Sequence, residues 1–267
     1  MPQRKNPYFC AMHLIDTHTH LYVEAFDDDQ DEAIARAMAS GVDRFFLPAI
    51  DQTYTQRMLA LQRKYPDRID LMMGLHPTHV NENVEEELAH VAQMLDAHSF
   101  VAVGEIGIDL YWDKTHAQAQ QKAFDQQIYW AKERGLPIVI HCREAFDEVF
   151  EVLEGHRGDD LKGIFHCFTG TLSHAHRAID LNLFLGIGGV VTFKNGKIDQ
   201  FLAEIPLTNI VLETDAPYLA PVPYRGKRNE SAYLPLIAEK VAHLYGRSLA
   251  DVAEQTTANA RKVFGDF

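Results

Sequence analysis

The sequence predicts a single-domain (β/α)8 barrel, and three observations carry that expectation. Eight short apolar, β-rich runs recur along the 267 residues, each bounded by turn residues and followed by a stretch with helical periodicity. Strands alternating with helices imply parallel pairing through right-handed crossovers, and eight such units close a barrel. Acidic and imidazole side chains fall at the ends of the runs, where a barrel gathers them at one mouth. An open doubly wound sheet is the structural alternative.

The runs, in order, are His13 to Asp16, Val42 to Ile50, Ile69 to Leu75, Phe100 to Ile108, Pro137 to His141, Gly163 to Phe168, Leu183 to Gly188 and Asn209 to Glu213. Helical patterns lie between them, among them Asp31 to Ser40, Thr115 to Arg134 and Ser231 to Tyr245. Gly41, Gly135 and Gly246 follow these three, where a helix end calls for a left-handed residue. No linker, charge block or repeat divides residues 12–267 beyond this alternation, so one domain is expected. Residues 1–11 (MPQRKNPYFCA) are expected to be a polar extension outside the barrel.

Composition narrows the function classes. A formal net charge of -13 excludes binding of nucleic acid by a broad basic face, because phosphate affinity comes mainly from Lys and Arg releasing counterions. Three cysteines (Cys10, Cys142, Cys167) with no Cys-x-x-Cys pair suggest neither a disulfide framework nor a thiolate zinc site. No run of about 18 apolar residues is present to span a bilayer, and the N-terminus lacks a signal-peptide core. The expectation is a cytoplasmic monomer with no membrane contact.

The chemistry is expected where the strands end. Asp16, His18 and His20 close the first run, Glu105 and Asp109 the fourth, His141 the fifth, His166 the sixth, and Glu213 and Asp215 the eighth. A lone histidine at a strand end is ordinarily a hydrogen-bonded structural residue. Six such groups converging from five strand ends are not explained that way. His18 and His20 are two apart, so in an extended segment they share a face about 7 Å apart and can chelate one ion. Six ligands (His18, His20, Glu105, His141, His166, Asp215) exceed the three that a catalytic zinc usually takes, which points to two divalent ions with Glu105 bridging. Two such ions lower the pKa of a shared water and brace the attacking and leaving oxygens of a phosphoryl transfer, so hydrolysis is the implied reaction class. Asp215 is also placed to orient the water and take its proton.

Around this set, Arg225, Lys227 and Arg228 form the densest basic cluster and are expected to hold a phosphate beside the metals; a solvated turn is the plainer alternative. His76 is expected to touch substrate, and His79 is an even choice between contact and loop surface. Strand alternation points Cys142 and Cys167 away from the ligands, to pack under the helices. Imidazole-rich sites suit Zn, Mn, Fe or Ni, whereas phosphoryl transfer commonly uses Mg.

The motifs Asp16-Thr17-His18-Thr19-His20, Gly74-Leu75-His76-Pro77, Gly104-Glu105-Ile106-Gly107-Ile108-Asp109, His141-Cys142-Arg143, His166-Cys167-Phe168, Glu213-Thr214-Asp215-Ala216-Pro217 and Arg225-Gly226-Lys227-Arg228-Asn229-Glu230 occur in order over nearly the whole chain. Together they resemble the TatD-family metal-dependent DNases among the amidohydrolase-like barrels. The resemblance implies a bacterial cytoplasmic enzyme with a TIM barrel, a binuclear site and 3'-5' exonuclease activity on DNA. It also implies that His18, His20 and Asp215 hold one ion, His141 and His166 the other, with Glu105 between. Ser231 and Thr169 depart from the family's usual residues at positions that are not expected ligands. Two alternatives stand beside this reading. One is a barrel amidohydrolase of a small amide, ester or lactone, a class that often bridges its ions with a carboxylated lysine where Glu105 stands here. The other is a non-catalytic, metal-stabilised binding protein.

Overall fold

A computed structural model describes residues 13–267, so the expected N-terminal extension lies outside the described residues. Eight parallel strands run in the order of the sequence: β1 (Leu14–Asp16), β2 (Val42–Leu47), β3 (Ile69–Met73), β4 (Ala102–Asp109), β5 (Ile138–Arg143), β6 (Gly163–Phe165), β7 (Leu183–Ile187) and β8 (Ile210–Leu212). Thr17 N donates to Leu212 O at 3.1 Å, which brings the end of β8 back against β1. The architecture is the (β/α)8 barrel that the sequence predicts.

Eight α-helices surround the strands among the described residues: α1 (Gln30–Ala39), α2 (Thr55–Lys64), α3 (Val84–Ala97), α4 (Ala117–Glu133), α5 (Phe146–Gly155), α6 (Leu172–Asp180), α7 (Leu234–Tyr245) and α8 (Leu249–Phe264). Gly41, Gly135 and Gly246 all take positive φ (90°, 64° and 59°), as the helix-end reading requires. The alternation fails once: β7 and β8 are joined by short 3-10 turns instead of an α-helix, and two helices follow β8. Strand lengths differ as well. β2 stops at Leu47 because Pro48 has no N–H for the ladder, and β6 stops at Phe165, just before the left-handed Cys167 (φ 42°).

Period-two alternation sorts the side chains. Ile15, Phe46, Met72, Ala102, Val139, Ile164 and Val211, one from each of seven strands, form one buried cluster with Phe184 of β7 packed against it. Ala260 and Val263 of α8 belong to the same cluster, so the C-terminal helix closes the bottom of the barrel. Burying side chains of the larger sizes contributes roughly 1.5–3 kcal/mol each. Two residues further along each strand, on the same face, come Thr17, Pro48, Gly74, Gly104, His141, His166, Gly186 and Glu213. The apolar floor therefore gives way to small and polar residues one layer up. Gly107 (φ 141°) lets β4 and β5 approach there, since a Cβ at that position would lie 2.0 Å from the His141 carbonyl oxygen.

Candidate metal centre

Beyond β1 the segment Thr17 to His20 is held by backbone bonds: Thr19 N donates to Phe46 O at 3.1 Å and His20 N to Ala216 O at 2.7 Å. Asp16 ties it to the β8 loop by accepting from Thr214 N at 2.9 Å and Thr214 Oγ1 at 2.5 Å. Burial pushes the Asp16 carboxyl up to about 7, against the hydrogen bonds from Thr214 and Ser231. In return Asp215 N donates to His18 O at 2.9 Å, with Asp215 in the left-handed region at φ 58°.

His18 and His20 bring their Nε2 atoms to 3.3 Å. Glu105 Oε2 stands 3.1 Å from the first and 3.7 Å from the second, and Asp215 Oδ1 stands 3.8 Å and 3.4 Å from them. The His20 tautomer follows from its far side. Tyr22 Oη donates to Pro48 O at 2.5 Å, so its oxygen accepts from His20 Nδ1 at 2.9 Å. The lone pair of His20 therefore lies on Nε2, toward the carboxylates.

The other oxygen of Glu105, Oε1, lies 2.8 Å from His141 Nδ1, 3.4 Å from His76 Nε2 and 3.6 Å from His166 Nε2. Burial raises the Glu105 carboxyl, but His76, His18, His166 and His141 outweigh it and hold it well below the usual range. Asp109 Oδ2 takes His141 Nε2 at 2.8 Å, which commits that nitrogen and turns Nδ1 to Glu105. His166 Nδ1 sits 3.0 Å from Glu213 Oε1, close enough for ionic attraction but without hydrogen-bond geometry. Burial lowers the His166 imidazole, yet Glu213, Glu105 and Asp215 lift it to about 10. His18 stacks on His166 at 3.5 Å between ring centroids. Burial and then the His166 charge push His18 down, because two stacked rings do not both carry a proton.

Buried imidazoles facing ionised carboxylates form the donor set of a divalent cation. The fit is sharpened by His18 Nδ1 and Glu213 Oε2, which are buried without hydrogen-bond partners. Ligand-capable atoms within 4.8 Å of one another group as His18, His20 and Glu105; as His18, His166 and Asp215; and as His76, Glu105 and His141. The structure thus brings all six expected ligands together at the barrel mouth. His141 groups with His76 and Glu105, not with His166. Glu213 and the His18 stack draw the His166 ring one way, while Asp109 holds His141. A fourth group joins His166, Cys167 and Glu213; His18, Glu105 and His166 each belong to two groups, so the clusters run into one another across the mouth.

The basic loop is placed elsewhere. Arg228 donates to Asp29 at 2.6 and 2.8 Å and to Glu230 at 2.9 Å, and its guanidinium lies 4.6 Å from the Phe26 ring centroid. Arg225 stacks 3.7 Å over Phe193. Neither of these, nor the exposed Lys227, lines the cavity of about 620 Å³ over the cluster. His76 does line it, as do His79, Cys142 and Cys167. His79 pairs with Asp51 at 2.7 Å. Cys142 packs against the buried cluster that holds Val149 and Phe150 of α5, as expected, while also bordering the cavity; Cys167 corrects the outward expectation. The left-handed turn at Cys167 breaks strand alternation, and its N–H donates to Glu213 Oε1 at 2.5 Å.

Sequence reasoning left Tyr22, Asp109, Glu213 and Arg143 without roles. Asp109 and Glu213 carried a legible signal, since both are carboxylates at the ends of ligand-bearing strands. Tyr22 repeats the spacing of two from His20. Arg143 stands two beyond His141, in strand register with Asp109, and lines the cavity.

Comparison with known proteins agrees with this geometry. The family model described as TatD related DNase matches residues 15–265. An uncharacterized metal-dependent hydrolase of Bacillus subtilis, YabD, is 39% identical over 94% of this chain and 98% of its own length. The 3'-5' ssDNA/RNA exonuclease TatD of Erwinia tasmaniensis is 32% identical over 94% and 99% respectively. Among solved structures, the TatD homologue YjjV of Escherichia coli superposes with a TM-score of 0.90 at 30% identity, over 95% of this chain and 98% of that one. With its barrel, its mouth of converging histidines and carboxylates, and these relatives, the chain belongs to the TatD-related DNase family of metal-dependent hydrolases.

Proposed function

We propose that this protein hydrolyses phosphodiester bonds of DNA, removing nucleotides from the 3' end, with two divalent ions at the barrel mouth. The observation that carries the reading is the double face of Glu105: Oε2 toward His18 and His20, Oε1 toward His76, His141 and His166. In this reading His18, His20 and Asp215 would hold one ion, His141 with His166 or His76 would hold the other, and Glu105 would be shared by the two sets. Two bound ions would acidify a water and brace the oxygens around phosphorus.

The remaining work falls to the chain. Asp215 is buried and held below the usual carboxylate range, burial notwithstanding, by His20, His166 and His18, so it is ionised and able to take a proton from water at the cavity floor. Asp109 and Glu213 hold His141 and His166 in orientation. The relatives named as 3'-5' ssDNA/RNA exonucleases support the substrate class.

The test is digestion of an end-labelled single-stranded DNA by the wild type and by Glu105→Ala, with Mg and Mn tried separately. Stepwise shortening from the 3' end, absent in the variant, is expected. No digestion by folded, metal-loaded protein overturns the reading in favour of a small-substrate amidohydrolase.

A further inference from the structure

Trp112 is 72% exposed and Tyr111 beside it 47%. Tyr111 and Trp112 meet edge to face at 4.7 Å between centroids. The Arg143 guanidinium lies 3.7 Å from the Tyr111 ring centroid and 5.3 Å from that of Trp112. Exposing a large aromatic face to water forgoes the free energy of burying it, and most of the Trp112 surface is left to solvent.

Place and charge single out the group. Trp112 and Arg143 both line the cavity over the histidine–carboxylate cluster, and among the described lining residues Arg143 is the one Lys or Arg. Arg143 stands two positions beyond His141 on β5, about 7 Å along the strand, and Tyr111 follows the end of β4 in a turn where its N–H donates to Asp109 Oδ1 at 3.0 Å. Among the described residues Arg143 makes no ion pair, in contrast to Arg228, which is bound to Asp29 and Glu230. A guanidinium held over the Tyr111 ring, with Trp112 beside it, keeps N–H groups free for an anion.

We propose that Tyr111, Trp112 and Arg143 form a nucleotide subsite at the cavity rim. The indole stacks on an unpaired base next to the scissile bond, and the guanidinium takes the adjoining phosphate. The proposal rests on the nuclease reading and deepens it. Base–aromatic stacking tolerates any base but needs a free face, so the subsite selects single strands and frayed ends over paired duplex. In a chain of net charge -13, one local cation beside an aromatic platform stands in for a basic surface.

The test uses the full-length chain with Trp130→Phe, which leaves Trp112 as the sole tryptophan, and a cleavage-resistant phosphorothioate oligothymidylate as probe. Quenching of Trp112 emission by the single strand, and at least tenfold weaker by a blunt duplex, is expected. Arg143→Gln should weaken single-strand binding about tenfold, in keeping with one lost contact of this class, as read by quenching. Trp112→Ala should do likewise, read by anisotropy of a labelled probe, and should raise KM for single-stranded DNA more than it lowers kcat. If the wild type degrades single-stranded DNA while both variants keep wild-type affinity and KM, the subsite is overturned and the nuclease reading survives. A lower Tm with unaltered affinity also overturns it, marking a structural pair. If the wild type neither binds nor degrades the strand, both readings fall.

Discussion

Tyr22 and His20 are joined by directed hydrogen bonds: the Tyr22 hydroxyl donates to the Pro48 carbonyl and accepts from His20 Nδ1. That arrangement decides which nitrogen of His20 faces Glu105 and Asp215. Removing it with Tyr22→Phe leaves a buried N–H unpaired and the ring free to turn. Metal affinity should fall about 10- to 100-fold, measured by titration of metal into stripped protein, with activity recovering at high metal concentration. Unchanged affinity would show that the ring needs no partner.

Glu213 is expected to act through His166. A Cβ at Gly186 would lie 2.2 Å from Glu213 Oε2, and that carboxylate is held by Cys167 N on its other oxygen. Gly186→Ala should therefore displace Glu213, cost roughly 1–3 kcal/mol of stability from overpacking, and lower kcat together with metal content. Thermal melts and metal analysis on one preparation check both effects; a stable, fully loaded variant would refute the link.

Arg228 is expected to matter for stability and not for substrate. With Arg36, it binds Asp29 and Glu230 across the α1 surface. Arg228→Ala should cost about 1 kcal/mol, the upper range for a partly exposed pair, while KM for DNA stays within twofold. A large rise in KM would return this loop to the substrate site.

The same network sets an acid limit. Hydrogen bonds from Arg228 and then Arg36 hold the Asp29 carboxyl well below its ordinary value. For Glu230, burial raises the carboxyl, but Arg36 and Arg228 outweigh it and bring it down. Both folded values are depressed, so their contribution is present above the unfolded values near 4 and is lost as pH falls through the folded ones. Melting temperature should drop on acidification below about pH 4, and Arg228→Ala should flatten that part of the profile. An identical slope in the variant would exclude this network as its source.

How much of this was legible in the chain differs by element. Eight strands, their parallel order and the convergence of His18, His20, Glu105, His141, His166 and Asp215 could be read because period-two alternation and turn residues are local properties, and a barrel sends every strand end to one mouth. Where local rules broke, the reading broke with them: at Cys167, whose left-handed backbone turns it into the cavity, and between β7 and β8, where 3-10 turns replace a helix.

The sequence by itself determined which side chains meet. The tertiary structure alone decided which atoms face which: His141 toward His76 instead of His166, Arg228 spent on Asp29 and Glu230, Arg143 left free beside Trp112. The reason is physical. Position along a strand is fixed by counting residues, but the angle at which two strands face each other across a barrel depends on register and ring orientation. Those depend on partners such as Tyr22, Asp109 and Glu213, which fold into place from the same strand ends that carry the ligands.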